Sequence, residues 1–364
     1  MPASSLTERI TAAWLGRGPL AIALLPLAGL YGALSALRRL LFRLGLLEHI
    51  RLPVPVIVVG NRVAGGAGKT PTTIAVVQHL MTQGLRVGVV SRGHGRRSAD
   101  VRLLDERNTA AEVGDEPLLI WRRTGGVPLA VGRDRAAAAQ ALLAAHPDTQ
   151  LIVCDDGLQH WRLARDIEIV VFDERGAGNG WLLPAGPLRE PIDTPSTARH
   201  CLTLYNASAP STPLHGQLAQ RTMRGACRLA GWWQGQPAQS WAEVQSTVQS
   251  TMQSADKPPG SAVDWLAVAG IAVPQRFFDQ LRAAGLAPRP LALHDHFDFA
   301  TIPWPACERL IIVTEKDAIK LPPDRVARER PDCDVWVAAL DFSPEPAFWT
   351  AFDAAVQAVT AART

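Results

Sequence analysis

Residues 56–71 read VIVVGNRVAGGAGKTP, and no other stretch limits so tightly what this chain can become. The β-branched run 56–59 has the composition of a buried strand. It runs into a glycine-rich turn that closes on Gly68-Lys69-Thr70 and opens an apolar-periodic segment, 74–80. Strand, glycine loop and helix in this order wrap backbone N–H groups around phosphate oxygens. Lys69 is then placed to reach the β- and γ-phosphates of a nucleotide, and the Thr70 hydroxyl to sit on Mg²⁺. The strict spacing G-x-x-x-x-G-K-[ST] is not met, because Val63 stands where the first glycine belongs. Gly65 and Gly66 supply the permissive backbone inside the loop. An ordinary strand-to-helix turn is the competing reading.

After this loop, strand-like and helix-like runs alternate. Strands are expected over 86–93, 128–134, 150–157, 167–173 and 201–206, with an alanine-rich helix over 135–145. Short, nearly all-apolar strands separated by helices imply a mostly parallel sheet covered on both faces. Such sheets bind ligands at the carboxyl ends of their strands. The glycine loop lies at such an end, and so do Asp155 and Asp156 of LIVCDDG. A buried strand delivering two carboxylates beside a Lys-Thr loop suits a nucleotide-bound Mg²⁺. A strand-end turn with solvated acids is the alternative.

Composition shifts over 207–260, which is rich in Ser, Gln, Pro and Thr and reads as a junction with an exposed insertion. Regular pattern resumes at residue 264 with a strand, a glycine turn, a helix led by Pro274 and ending near Gly285, strands over 309–321 and 335–342, and a C-terminal amphipathic helix. The expected fold is α/β: a mostly parallel, P-loop NTPase-like sheet over 51–214, a second, smaller α/β domain over 215–364, and a helical segment over 1–50.

That N-terminal segment carries no charge over 18–37, about the length of a bilayer-spanning helix, although Pro19 and Pro26 weaken it. Arg38, Arg39, Arg43 and Arg51 follow directly. A cleaved signal would carry its basic residues before the apolar run instead. A membrane-inserted or interfacial helix is preferred over a buried core helix, with the arginines on the cytoplasmic side. A net charge of +3 gives no case for a nucleic-acid partner. Five cysteines at 154, 201, 227, 307 and 333 form no C-x-x-C pair, so neither a disulfide framework nor a zinc site is expected.

Two further motifs carry ionisable groups. GDEP (114–117) places Asp115 and Glu116 before a proline; Asp115 is a helix-cap residue or a carboxylate that handles an acceptor hydroxyl. LALHDHFDF (291–299) holds His294 and His296, either in a polar loop or as a contribution to a site from the second domain.

GNRVAGGAGKTP, SRGHG, GDEP, DDGLQH, GNGWLLPAGPLRE, DHFDF and TEKDAIKL, in this order after an apolar helix, resemble the tetraacyldisaccharide 4′-kinases of lipid A biosynthesis. The resemblance runs from about residue 15 to about residue 345 and is weakest over 207–260. It implies transfer of the γ-phosphate of ATP to the 4′-hydroxyl of a tetraacylated glucosamine disaccharide 1-phosphate at the cytoplasmic face of the inner membrane. It implies an ATP loop formed by Val63, Ala64, Gly65, Gly66, Ala67, Gly68, Lys69 and Thr70. Thr70, Asp155 and Asp156 would serve Mg²⁺, with Glu190 as a further metal neighbour. Asp115 matches the family's catalytic carboxylate, and His296 its histidine from the second domain, acting with Lys69. One departure is His294-Asp295-His296 where Pro-Asp-His is expected, which adds a competing histidine. The partners implied are a lipid substrate and a membrane surface, without nucleic acid, with the chain acting as a monomer. The reading from another class is a membrane-associated P-loop ATPase that works as a conformational switch or assembly factor.

Overall fold

A computed structural model describes residues 6–96, 98–253 and 264–363. The chain opens with three helices, α1 (Leu6–Ala13), α2 (Pro19–Ala23) and α3 (Leu25–Arg43). The first α/β unit follows with β1 (Val56–Gly60), α4 (Lys69–Thr82), β2 (Val87–Ser91), β3 (Arg102–Leu103), α5 (Ala110–Val113) and α6 (Asp115–Arg123). It continues with β4 (Leu129–Val131), α7 (Arg135–Ala145), β5 (Leu151–Asp155), β6 (Ile167–Asp173) and β7 (His200–Asn206). A long strand, β8 (Gln217–Arg228), leads into the second unit: α8 (Leu229–Trp233), β9 (Gln239–Ser240), α9 (Trp241–Gln253), β10 (Leu266–Ala269), α10 (Pro274–Ala283) and β11 (Arg289–Ala292). Then come β12 (Leu310–Thr314), α11 (Glu315–Ala318), α12 (Pro323–Glu329), β13 (Asp334–Pro344) and α13 (Pro346–Ala361).

Every residue of β1, β2, β5 and β6 is buried. Strands covered on both faces cannot alternate, which is why their sequences are continuous apolar runs. The strand order is β11-β10-β12-β13-β8-β7-β6-β1-β5-β2-β4-β3, with β9 paired to β8. Pairing is parallel within each unit's core, and β13 runs antiparallel to β8. The start of β8 pairs with β7 through Leu204↔Gln217 and Tyr205↔Leu218, and the remainder pairs with β13. Two antiparallel strands therefore carry the chain out of the first unit and back.

Three expectations change. The stretch 207–260 is not simply a junction and insertion: it holds β8, α8, β9 and α9, with residues 254–260 outside the described residues. The strand expected over 309–321 ends at Thr314, whose side chain caps α11 by accepting from the Asp317 N–H. A boundary at residue 215 assigns α13 to the second unit, yet its side chains pack in the first. Phe348, Phe352, Val356 and Val359 share a core with Ile57, Ile74 and Val77. His79 Nε2 lies 2.7 Å from Asp353 Oδ1, and its ring stacks on Trp349.

The N-terminal helices rest on the loop after β6. Trp14 Nε1 donates to the Pro184 carbonyl at 2.9 Å, and Tyr31 Oη to the Arg189 carbonyl at 2.9 Å. The face of α3 turned inward carries Ala28, Tyr31, Gly32 and Phe42, whereas Leu27, Leu30, Leu34 and Leu37 are 52–59% exposed. This is the reverse of a helix that buries its leucines in a core. Among the described residues no helix is long and apolar enough to cross a membrane.

Candidate active site

The loop between β1 and α4 has the geometry its glycines require. Gly68 caps α4 at φ +89°, and a Cβ there would lie 2.2 Å from Asn206 Nδ2. Only glycine fits both the left-handed backbone and that contact. Asn206 in turn donates to the Ala67 carbonyl at 3.3 Å. The segment Gly66, Ala67, Gly68, Lys69 and Thr70 lines a cavity between the two units. The earlier loop residues face elsewhere. Val63 is buried against the 182–188 region, Ala64 N–H donates to the Pro187 carbonyl, and Gly65 lies under the Arg175 guanidinium.

Lys69 is the first residue of α4. Its Nζ stands 3.4 Å from Asn61 Oδ1 and 3.7 Å from Asp156 Oδ1. Asp155 ends β5 and is buried. Its two oxygens accept from Thr73 Oγ1 at 2.9 Å and Ser91 Oγ at 3.1 Å. Burial pushes its pKa up to about 7, helped by the charges of Glu116 and Asp156. Asp156 adopts φ +48° and turns towards cations, 3.3 Å from Arg189 Nη1. Burial raises its pKa, but Lys69, Arg189 and Arg135 outweigh this and hold it below the ordinary value.

Hydroxyl and carboxylate oxygens are the hard donors that Mg²⁺ takes. Asp155 is held up by burial, with Glu116 and Asp156 adding negative charge beside it, a load that a divalent cation would relieve; the paired aspartates fit that ion, and Thr70 lines the cavity next to Lys69. Glu190 stands among partners of its own. Its carboxylate lies 3.9 Å from Arg62 Nε and 3.5 Å from Gln159 Nε2. Among the described residues no three His, Cys, Asp or Glu side chains gather as a metal cage. Phosphate oxygens and water would have to complete the shell, as is usual for Mg²⁺.

The second cluster joins the units. Gly114, at φ +94° with its Cβ position 2.9 Å from the His94 carbonyl, turns the chain so that Asp115 starts α6 inside the interface. His296, at φ +58°, points back across it. His296 Nδ1 donates to Asp115 Oδ2 at 2.9 Å, and Lys320 Nζ lies 3.3 Å from the same oxygen. Burial opposes the charge of Asp115, yet the His296 hydrogen bond and the Lys320 and Lys316 ammoniums hold its carboxyl well below the usual range. The bond to Asp115 raises the His296 pKa, partly offset by burial and by Lys316. His294 does not reach this pair. Its Nδ1 donates to the Asp295 carbonyl and its ring leans on Phe297.

The structure thus gathers Lys69 and Thr70 at one wall of the cavity and Asp115–His296 across the interface. It also brings in groups given no role from sequence: Glu116, Lys316, Lys320, and the Arg123–Glu315 pair at 2.6 Å. TEKDAIKL contains the signal in its T-x-x-D capping pattern, which marks a helix start where a strand was expected.

The sequence model of the tetraacyldisaccharide-1-P 4′-kinase family matches residues 20–357. This chain belongs to that family. A protein of Methylibium petroleiphilum named tetraacyldisaccharide 4′-kinase is 58% identical over 347 residues, 95% of this chain and 93% of that one. A protein of Leptothrix cholodnii with the same name is 54% identical over 357 residues, 98% of both chains. A solved structure of LpxK from Aquifex aeolicus in complex with ATP superposes with a TM-score of 0.74, at 23% identity, over 94% of this chain and 99% of that one. That likeness covers both units of the fold.

Proposed function

We infer that this chain transfers the γ-phosphate of ATP to the 4′-hydroxyl of a tetraacyldisaccharide 1-phosphate, the reaction for which its family is named. The observation that carries the chemistry is the Asp115–His296 hydrogen bond at 2.9 Å, made between the two units beside the glycine-loop cavity. A phosphoryl transfer needs little covalent work from a protein; it needs positioning and charge. The backbone from Gly66 to Thr70 cradles the phosphates, and Lys69 neutralises charge on them. Mg²⁺, if held by Thr70, Asp155 and Asp156, would supply positive charge against that developing on the phosphates. Asp115 orients the acceptor hydroxyl and takes its proton, while His296 fixes the Asp115 carboxylate.

The membrane reading is supported by the leucine face of α3 and the arginines that follow it. A helix with exposed Leu27, Leu30, Leu34 and Leu37 beside Arg38, Arg39 and Arg43 suits the interface of an anionic leaflet. Lying flat at the cytoplasmic face of the inner membrane, it would bring the site to a lipid headgroup. Both halves of the site come from one chain, so a monomer suffices.

The test compares Asp115→Asn and His296→Ala with the wild type in single-turnover transfer to the lipid acceptor. Both should slow transfer by about 10²-fold or more while ATP affinity changes little. Wild-type transfer by both variants would remove the pair from the chemistry.

A further inference from the structure

The interface between α6 and α11 is a set of charge pairs with unequal commitments. Arg123 Nη1 is held at 2.6 Å by both oxygens of Glu315, which also accepts from Trp232 Nε1 at 3.1 Å. Lys320 Nζ donates to the Phe297 carbonyl at 2.9 Å and lies 3.3 Å from Asp115. Both cations are fixed by short bonds. Lys316 is different. Its Nζ stands 3.4 Å from Glu116 Oε1, 3.5 Å from Asp295 Oδ1 and 3.3 Å from His296 Nε2. Every contact is long, so the ammonium is shared among three acceptors and committed to none.

Its placement is as informative as its partners. Lys316 lines the same cavity as Lys69 and Thr70, from the opposite unit. It also touches the far nitrogen of the imidazole whose near nitrogen bonds Asp115. A cation there stands between the phosphate loop and the group that handles the acceptor hydroxyl. Of the other cavity cations, Arg276 is paired with Glu174 at 2.9 Å and Arg123 with Glu315, while Arg221, on β8, keeps a buried Nε without a hydrogen-bond partner but touches neither His296 nor Glu116 in any hydrogen bond or ion pair among the described residues. Burial works against the charge of Lys316, but Glu116, Asp295 and Asp115 outweigh it and raise its pKa, so it is charged throughout the neutral range.

We propose that Lys316 is a further catalytic residue, which leaves its shared position on Glu116 and Asp295 to contact the γ-phosphoryl group opposite Lys69. The proposal rests on the kinase reading above. In the step, the acceptor hydroxyl oxygen bonds to the γ-phosphorus. The bond from that phosphorus to the bridging oxygen breaks, and its electron pair leaves on ADP. The hydroxyl proton passes to Asp115. Lys316 stays an ammonium throughout and contributes charge where the equatorial oxygens spread it. Because Lys316 comes from the second unit, full stabilisation exists only with the units together, which disfavours transfer to water in an open cleft.

The experiment measures kcat at saturating ATP and lipid acceptor, and ADP affinity by calorimetry, for the wild type, Lys316→Ala, Lys316→Gln and Lys69→Ala. Lys316→Gln keeps a hydrogen bond to Glu116 and decides the matter if the alanine variant does not fold. ADP lacks the γ-phosphoryl, so its affinity reports the site without the proposed contact. The expected result is a kcat loss of about 10²–10³-fold with ADP affinity within about threefold of wild type. A kcat within about threefold of wild type overturns the proposal, and so does a parallel loss of kcat and ADP binding, which marks a structural latch. Lys69→Ala separates the two readings. If it transfers phosphate normally, the phosphate-loop assignment fails; if it is inactive while Lys316→Gln is normal, only the role of Lys316 fails.

Discussion

At the scale of single residues, the site is a problem of unequal carboxylates. Asp155 is pushed up to about 7 by burial and by Glu116 and Asp156, whereas Asp115 is held well below the usual range by His296 and two lysines. Asp155 gains from a cation, and removing it should show in the metal requirement. Asp155→Asn should need more Mg²⁺ for half-maximal rate than wild type, read from a metal titration of initial rates. The pair at the interface makes a pH prediction. An imidazolium at His296 weakens the Asp115 carboxylate as a base; neutral imidazole keeps the Nδ1–H bond but removes the positive charge. The His296 pKa lies above its ordinary 6.5, so kcat/KM should rise with pH through a limb above that value. His296→Asn should lose the limb. His294→Ala should keep it, because His294 does not touch Asp115. The site residues legible in sequence were those with a local pattern: the glycine loop, the paired aspartates after a buried strand, the aspartate before a proline. Lys316 and Glu116 were not, because two charges 200 positions apart leave no local trace of their pairing.

At the scale of elements, buried strands were readable from their apolar runs, and the exceptions have physical causes. β8 runs through Gln217, Gln220, Arg221 and Thr222 because much of it is only half-buried, so its composition resembles a linker. β12 looked too long because Thr314, a good strand residue, is also a good cap. The placement of α13 was not legible: an amphipathic helix shows that it has an apolar face, not which core receives it. That placement is testable. Phe352 is fully buried in the first unit's core beside Phe348. Phe352→Ala should cost about 3–5 kcal/mol and lower the urea midpoint of the first unit. A loss confined to the second unit would contradict the packing described. For α3, Leu30→Gln with Leu34→Gln removes two exposed leucines and should leave the melting temperature unchanged. Flotation with anionic vesicles should fall sharply, since each leucine contributes apolar burial only at a membrane.

At the scale of the whole molecule, the two units are joined by β8 and β13, and the chemistry is divided between them. The glycine loop and Asp115 belong to the first; His296, Lys316 and Lys320 belong to the second. The ion pairs between α6 and α11 hold the two halves together. A fold split in this way suits transfer between two bulky substrates, one from solution and one from a lipid layer. The most direct measurement of that claim incubates the purified chain with ATP carrying a labelled γ-phosphate, Mg²⁺ and the tetraacyldisaccharide 1-phosphate in bilayers, and follows where the label goes. The account predicts that the label appears on the lipid, which gains one phosphoryl group by mass, and that Lys69→Ala slows this by about 10²–10³-fold. Label released only as inorganic phosphate, with the lipid unchanged in mass, would contradict it and show an ATPase in place of a kinase.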